Sequence, residues 1–253
     1  MGKKLQALIF DVDGTLADTE RDGHRVAFNR AFAEAGLNWS WTVELYGKLL
    51  TVAGGKERIR YYLQNYLPDF ELPPDASGWI ANLHAAKTQH YQQLLSEGAI
   101  PLRPGVRRLL EEARDQGVLL AIATTTAPDN AETLLKAAIA PEAVSWFEVI
   151  AAGDIVPAKK PDPAIYHYAL KALDLYPEEC LAFEDSHQGV LAATRSGLKT
   201  IITFNGYTQN HDFTGASLVL NHLGEPDQPF TVLTGDAGDA THFHLGLANQ
   251  IIG

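Results

Sequence analysis

The stretch Asp11-Val12-Asp13-Gly14-Thr15 decides the fold, and it directly follows the apolar run Leu5-Gln6-Ala7-Leu8-Ile9-Phe10. The apolar run predicts a buried strand, and the two aspartates lie one residue apart at its carboxyl end. Side chains alternate along a strand, so both carboxylates are expected on the same side of the sheet. Two like charges held this close repel, and each resists ionising while the other is ionised. A divalent cation or a shared proton explains such a pair better than folding does.

Five further strand-like runs follow along the chain, at about 118–123, 147–151, 180–184, 199–203 and 217–220. Helical stretches separate most of them, including one between Gly105 and Gly117 and others that begin near Pro128, Pro163 and Ser186. This alternation predicts an α/β fold with a doubly wound, Rossmann-like parallel sheet covered by helices on both faces. Ligands of such sheets bind at the carboxyl ends of the strands.

Residues 18–98 interrupt the alternation and predict several successive helices, at about 19–36, 42–50, 56–67 and 78–96. The interruption begins beside the aspartate pair, and both of its ends must return near the strand tips. We therefore expect an inserted α-helical cap domain at 18–98, with substrate specificity as its task. The catalytic core is then expected from residues 1–17 and 99–253.

Polar residues follow three more of the predicted strands. These are the run Thr124-Thr125-Thr126, the pair Lys159-Lys160 and the run Glu184-Asp185-Ser186. The carboxyl ends of parallel strands meet at one edge of the sheet, so these groups should converge on the aspartate pair. Several carboxylates suit a hard cation such as Mg²⁺, whereas a hydroxyl, a lysine and loop N–H groups suit a phosphoryl group.

The composition is that of an ordinary globular protein. The 253 residues are 46% hydrophobic and 20% charged, and the formal net charge is -11. This charge argues against nucleic acid or an anionic membrane as the partner. The single cysteine, Cys180, cannot form an internal disulfide, which favours a reducing compartment. With no apolar run long enough to cross a bilayer and no signal peptide, we expect a cytoplasmic protein.

The motifs, taken in this order, resemble those of the haloacid dehalogenase superfamily, and the insertion resembles the subgroup whose cap follows the first motif. The segments Gly54–Ile59, Ala123–Thr126, Ala151–Asp154 and Lys160–Tyr166 are similar, within that superfamily, to the CbbY-type sugar bisphosphatases. The segment from Asp18 to Asn29 fits the same group.

The resemblance implies catalytic roles for four residues. Asp11 would be the nucleophile that forms an aspartyl-phosphate, and Asp13 would protonate the leaving group and later deprotonate water. Thr124 would hydrogen-bond a phosphoryl oxygen. Lys160 would pair with the phosphate and with Asp11.

The resemblance also implies Mg²⁺ as the cofactor. Its ligands would be Asp11, the backbone carbonyl of Asp13, and Asp185, with Glu184 either bound to the metal or next to its ligands. The metal would let an anionic nucleophile approach an anionic phosphate.

Substrate contacts are implied in both domains. The cap would contribute two glycines before two cations, together with an acid for sugar hydroxyls and a lysine for a distal phosphate. The residues concerned are Glu20, Gly54, Gly55, Lys56, Glu57, Arg58 and Lys87, joined by Thr125 and Thr126 from the core.

The resemblance implies hydrolysis of xylulose-1,5-bisphosphate to xylulose 5-phosphate, which removes an inhibitor of Rubisco. A β-phosphoglucomutase-like phosphosugar mutase shares the same core and stays open as an alternative, as does a non-catalytic phosphosugar-binding protein. Asp13 argues against a phosphonate-cleaving relative and against a dehalogenase, because both lack the second aspartate. The expected partner is a small phosphosugar, and a monomer is expected.

Overall fold

The computed structural model describes residues 4–52 and 54–253. The chain divides into two compact units. The larger unit runs to Asp18 and resumes at Pro101–Gly253, and the smaller unit is Thr19–Ile100. Within the described ranges, every helix falls short of the length or apolar character that crossing a lipid bilayer requires.

Strands and helices are numbered in chain order. The strands are β1 (Ala7–Phe10), β2 (Leu119–Thr124), β3 (Val149–Ala152), β4 (Cys180–Glu184), β5 (Lys199–Thr203), β6 (Leu218–Leu220) and β7 (Val232–Thr234). The helices are α1 (Arg25–Glu34), α2 (Val43–Leu49), α3 (Gly55–Tyr66), α4 (Ala76–Ser96), α5 (Val106–Asp115), α6 (Pro128–Ala138), α7 (Ala164–Leu173), α8 (His187–Arg195) and α9 (Leu245–Ile252).

The larger unit is built on one sheet, and its described strands lie in the order β3-β2-β1-β4-β5-β6-β7. Strands β1 to β6 are parallel, and β7 pairs antiparallel with β6. The strand order reverses direction on either side of β1, which is the doubly wound arrangement. The predicted α/β fold with a parallel Rossmann-like sheet is therefore confirmed.

The central strands β1 and β4 are buried on both faces of the sheet, and this explains their continuous apolar runs. Ala7 and Ile9 of β1 pack with residues of α7 and α8 in one core cluster. Leu8 and Phe10 alternate with them and are also fully buried, on the opposite face. There Phe10 stacks on Phe183 of β4, with 4.5 Å between the ring centroids. Strands buried on two faces read as continuous apolar runs in the sequence.

Local signals fix where two helices of the larger unit begin. Ser186 caps α8, because its hydroxyl accepts a hydrogen bond from the Gly189 N–H at 3.2 Å. Asp162 accepts one from the Ala164 N–H at 2.9 Å, at the start of α7. Both helices therefore begin directly after loops that carry predicted site residues.

The smaller unit is helical and packs around aromatic side chains. A π-helical turn, Thr19–His24, leads into α1. Trp41 is fully buried and lies against Phe28 and Phe32 of α1, with centroid distances of 4.6 and 4.9 Å. The Asn29 side chain fixes the Trp41 backbone, since it accepts from the N–H at 2.8 Å and donates to the carbonyl at 3.0 Å.

Candidate active site

The carboxyl ends of β1, β2 and β4 lie side by side, because these strands are neighbours in the sheet. A pocket of about 190 Å³ opens at this edge. It is lined by Asp11, Asp13, Thr125, Lys160, Glu184, Asp185, Ser186 and Gln188. The structure thus brings together side chains that lie far apart in the sequence, from Asp11 to Gln188.

Lys160 is the central cation of this pocket, and its side chain is only 6% exposed. Its ammonium donates to Asp11 Oδ1 at 2.7 Å, to Glu184 Oε1 at 2.6 Å and to the Ala123 carbonyl at 2.8 Å. Burial alone would lower the pKa of Lys160, but the carboxylates of Asp11 and Glu184 raise it above its ordinary value. Lys160 is therefore a permanent positive charge beside Asp11.

Glu184, which accepts a hydrogen bond from Lys160, is buried and only 1% exposed. Its Oε1 also accepts a hydrogen bond from the Tyr166 hydroxyl at 2.6 Å. Burial raises the pKa of Glu184 to about 7, although the Lys160 ammonium opposes the shift. A side chain at position 189 would overlap the Glu184 carboxylate, so Gly189 provides the room that this carboxylate occupies.

Asp185 is held by groups that follow β5 and β1. The Asn205 side chain donates to Asp185 Oδ2 at 2.8 Å. Gly14, with φ at 83°, lies so close that any side chain there would overlap the Asp185 carboxylate. Burial raises the pKa of Asp185 well above its ordinary value, and the charges of Asp11 and Glu184 raise it further.

Three buried carboxylates in this site fit a metal ion. Asp11, Glu184 and Asp185 each offer one oxygen, and these oxygens lie within 4.8 Å of one another. Burial, and then the negative charge of the neighbouring carboxylates, raises the pKa of Glu184 and of Asp185. Oxygen donors of this kind suit a hard divalent cation such as Mg²⁺. The residues present therefore fit the cofactor that the sequence predicts.

The three threonines at the end of β2 differ in burial and in hydrogen bonding. Thr124 is fully buried at the end of the strand, and its hydroxyl accepts from the Thr126 N–H at 3.3 Å. The Thr126 hydroxyl donates to Asp13 Oδ2. Thr125 is exposed and lines the pocket. Asp13 is thus oriented by a threonine hydroxyl at the rim of the site.

In the smaller unit, two predicted substrate residues are tied together by a tyrosine. The Tyr46 hydroxyl donates to Glu20 Oε2 at 2.6 Å and accepts from the Arg58 guanidinium at 2.9 Å. Arg58 is buried, and it also donates to the carbonyls of Leu49 and Val52 at 3.2 and 3.3 Å. Arg58 therefore holds the loop before α3 in place.

Lys87 of α4 is also buried in the smaller unit. Its ammonium lies 2.8 Å from His24 Nδ1 and 5.2 and 5.1 Å from the ring centroids of Phe28 and Tyr91. Burial and the positive charge of Lys87 lower the pKa of His24 well below its usual value. This lysine is thus packed among aromatic rings.

The first turn of α3 presents the other predicted cap residues. Gly54 precedes the helix with φ at 89°, and Gly55 packs so tightly against His84 that a side chain there would overlap the imidazole. Lys56 and Glu57 are exposed. Glu57 pairs with Arg60 at 3.1 Å.

The residues of the larger unit's site that the sequence analysis missed include Asn205, Tyr166 and Gln188. Asn205 follows β5 by two positions, so the rule that polar groups follow strand ends could have found it. Tyr166 lies on α7, six positions after Lys160, and no spacing signals its contact with Glu184.

Comparisons with known proteins agree with this geometry. The model of the haloacid dehalogenase-like hydrolase family matches residues 5–197. Protein CbbY from Cupriavidus necator is 46% identical over 225 residues, which cover 89% of this chain and 88% of that protein. The phosphorylated carbohydrates phosphatase of Thermotoga maritima is 32% identical over 197 residues, which cover 78% of this chain and 84% of that protein.

A solved structure of a CbbY protein is also similar to this chain. A mutant of CbbY from Rhodobacter sphaeroides, crystallised in complex with xylulose-(1,5)bisphosphate, is 45% identical to this chain with a TM-score of 0.69. The match covers 86% of this chain and 94% of that chain. The chain belongs to the haloacid dehalogenase-like hydrolases and is a phosphatase, that is, a phosphoric monoester hydrolase.

Proposed function

We propose that this chain is a Mg²⁺-dependent phosphatase that hydrolyses xylulose-1,5-bisphosphate to xylulose 5-phosphate and phosphate. The observation that carries the chemistry is the 2.7 Å contact between the Lys160 ammonium and Asp11 Oδ1 at the pocket. It places a buried positive charge beside the carboxylate that is proposed to attack phosphorus. The choice of sugar is supported by the ligand of the Rhodobacter sphaeroides relative.

Asp11 is proposed as the nucleophile. One carboxylate oxygen of Asp11 attacks phosphorus, and the bond from phosphorus to the sugar oxygen breaks as the aspartyl-phosphate forms. The Lys160 ammonium offsets negative charge on Asp11 and on the transferring group, which would otherwise repel each other.

Asp13 is proposed as the general acid and base. It gives its proton to the departing sugar alkoxide and takes a proton from the water that attacks the aspartyl-phosphate. The second step releases phosphate and restores both aspartates to their starting forms. The Thr126 hydroxyl, which donates to Asp13 Oδ2, supports this role because it fixes the carboxyl group at the pocket rim.

Asp11 and Asp185 are proposed to hold Mg²⁺, together with the backbone carbonyl of Asp13. When bound, the metal neutralises charge on the phosphoryl group. Glu184 is proposed to act through Lys160 and Tyr166, since its Oε1 already accepts from both.

Lys56 and Glu57 are proposed as substrate contacts, because both are exposed at the first turn of α3. Arg58 and Lys87 are proposed to shape the surroundings of those contacts, since each is buried among partners within the smaller unit.

A panel of sugar monophosphates and bisphosphates, assayed with Mg²⁺ for released phosphate, tests this proposal. We expect xylulose-1,5-bisphosphate to have the highest kcat/KM and to yield one phosphate per molecule. If it is no better than simple monophosphates, the assignment of the sugar is wrong. If phosphate moves between sugar positions and is not released, the chain is a mutase.

A further inference from the structure

Arg103 is a buried arginine, only 7% exposed. It lies in the larger unit, two residues after Pro101, where that unit continues after the smaller one. Its guanidinium donates to backbone carbonyl oxygens in three segments. The acceptors are Gly14, Thr203 at 2.6 Å, Phe204 at 2.6 Å and Asn221 at 2.7 Å.

The neighbourhood of Arg103 adds contacts to the segment after Asp13. The Arg103 Nε lies 3.4 Å from Asp18 Oδ1, and its backbone N–H donates to the Leu16 carbonyl at 2.8 Å. A buried cation is costly unless its N–H groups are paired, and the planar guanidinium can serve several acceptors in one plane. The buried charge of Arg103 therefore joins the turn after Asp13 to the carboxyl ends of β5 and β6, which are neighbours in the sheet.

The segments joined by Arg103 carry two groups that contact the Asp185 carboxylate. Gly14 lies against this carboxylate, with no room for a side chain. Asn205 follows Phe204 directly and donates to Asp185 Oδ2 at 2.8 Å, and a side chain at position 14 would overlap the Asn205 amide as well. Because Arg103 binds the carbonyls of Gly14 and Phe204, it holds these two neighbouring contacts of Asp185 together.

We propose that Arg103 is a positioning residue for the metal site: it holds the turn after Asp13 and the loop that carries Asn205, so that the Asp185 carboxylate is oriented before Mg²⁺ binds. This inference rests on the proposed function for its link to turnover. Substitution of a residue that orients metal ligands through other groups typically costs roughly 10- to 100-fold in metal affinity or activity.

The test compares Arg103→Lys with Arg108→Lys. Lysine keeps the charge but has a single ammonium, which cannot reach all the carbonyls at once. Arg108 is a matched control in the same unit, because its guanidinium likewise donates to backbone carbonyls, those of Gly224 at 3.0 Å and Phe243 at 2.8 Å. Those contacts lie outside the pocket described above.

Three measurements are made on each full-length variant. Hydrogen exchange of the metal-free protein reports on residues 11–18 and 203–208. A titration of the melting temperature gives the Mg²⁺ concentration for half of the maximal shift. Steady-state kinetics separates kcat from KM.

For Arg103→Lys we expect faster exchange in both segments, about tenfold more Mg²⁺ at half-maximal shift, and a kcat lowered about 10- to 100-fold. The KM for the phosphosugar should change less than about threefold, since Arg103 touches no proposed substrate contact. Arg108→Lys should keep wild-type exchange in these segments and a wild-type Mg²⁺ response. A wild-type Mg²⁺ response in Arg103→Lys would overturn the proposal.

Asn205→Ser gives a second, milder test that applies even if Arg103→Lys does not fold. It replaces the amide that donates to Asp185 with a hydroxyl on a shorter side chain and leaves Arg103 intact, so it should reproduce the weaker Mg²⁺ response. An unchanged Mg²⁺ response of Asn205→Ser would also overturn the proposal.

Wild-type protein that binds Mg²⁺ but releases no phosphate from any phosphosugar would contradict the proposed function alone, because hydrogen exchange and Mg²⁺ binding would still decide the role of Arg103.

Discussion

The Tyr166 hydroxyl lies 2.6 Å from Glu184 Oε1, the same oxygen that accepts the Lys160 ammonium. Burial and the charge of Glu184 raise the pKa of Tyr166, so the hydroxyl stays protonated and can only donate to this carboxylate. Tyr166 thus fixes the carboxylate that in turn fixes the lysine beside Asp11.

Tyr166→Phe removes this hydrogen bond and keeps the ring. We expect about 1 kcal/mol lower stability and a kcat lowered about 3- to 10-fold, because Glu184 then orients Lys160 less firmly. Thermal melting and steady-state phosphate release measure the two effects. Tyr168→Phe is the matched control, since Tyr168 is on the same helix and is exposed. A Tyr166→Phe enzyme with wild-type kcat would contradict this positioning role.

Asp11→Asn is expected to lower phosphate release by ~10³-fold or more, because an amide cannot act as the nucleophile. The substrate should still bind, and binding can be followed by isothermal titration. Asp115→Asn, on the exposed end of α5, should leave turnover unchanged. Residual activity of Asp11→Asn within tenfold of wild type would rule out the aspartyl-phosphate route.

Arg58 and Lys56 are two residues apart but should respond differently to substitution. Arg58→Met removes the side-chain donor to the carbonyls of Leu49 and Val52, of which the Leu49 carbonyl still accepts from the Val52 N–H, and we expect about 1–3 kcal/mol lower stability. Lys56→Ala should change stability by less than about 0.5 kcal/mol and raise the KM for the phosphosugar. Melting curves and KM values separate the two outcomes.

Arg60→Met is the control for this comparison. Arg60 lies on the same helix and pairs only at the surface with Glu57, an interaction worth at most about 1 kcal/mol. Equal destabilisation by Arg58→Met and Arg60→Met would show that the Arg58 contacts contribute little.

His24 should make the stability of the protein depend on pH. Its pKa is lowered in the folded chain, so the unfolded chain binds the proton more tightly. The contribution is complete above about pH 6.5, the ordinary histidine value, and is lost progressively as the pH falls below it. The melting temperature should therefore fall less for His24→Gln than for wild type when the pH is lowered from 7.5 to 5.5. Exposed His167→Gln serves as the control, and its pH dependence should match that of wild type.

Mg²⁺ should stabilise the folded protein against heat. A ligand at 100 times its Kd adds about 2.7 kcal/mol, which corresponds to several degrees in Tm. Asp185→Asn should reduce this shift, because it removes one of three clustered carboxylates. EDTA at matched ionic strength gives the baseline. An equal Mg²⁺ shift in wild type and variant would place the ion elsewhere.

The central strands and the meeting of their polar ends were predictable from the sequence. Strands such as β1 and β4 are buried on both faces, so their apolar runs carry a strong signal. A parallel sheet then brings Asp11, Thr124 and Glu184 to one edge by topology alone.

Other elements gave no comparable signal. Each residue of β7 is exposed, so this strand has no apolar face that a pattern could reveal. Helix α9 is short and is capped by His244, which is not among the common capping residues. The burial of Arg58 could not be predicted either. The sequence does not distinguish an arginine that hydrogen-bonds to backbone carbonyls from an arginine that binds a ligand.

The close approach of Gly189 to Glu184 has a consequence for sequence variation among relatives. An alanine at 189 would fit only beside a shorter acid, so a change at 189 is expected to be accompanied by aspartate at 184. The shorter acid would no longer reach both Lys160 and Tyr166, so a third substitution, at 166, would follow. These three positions should therefore covary as one evolutionary unit, although they lie on a helix, a strand and another helix.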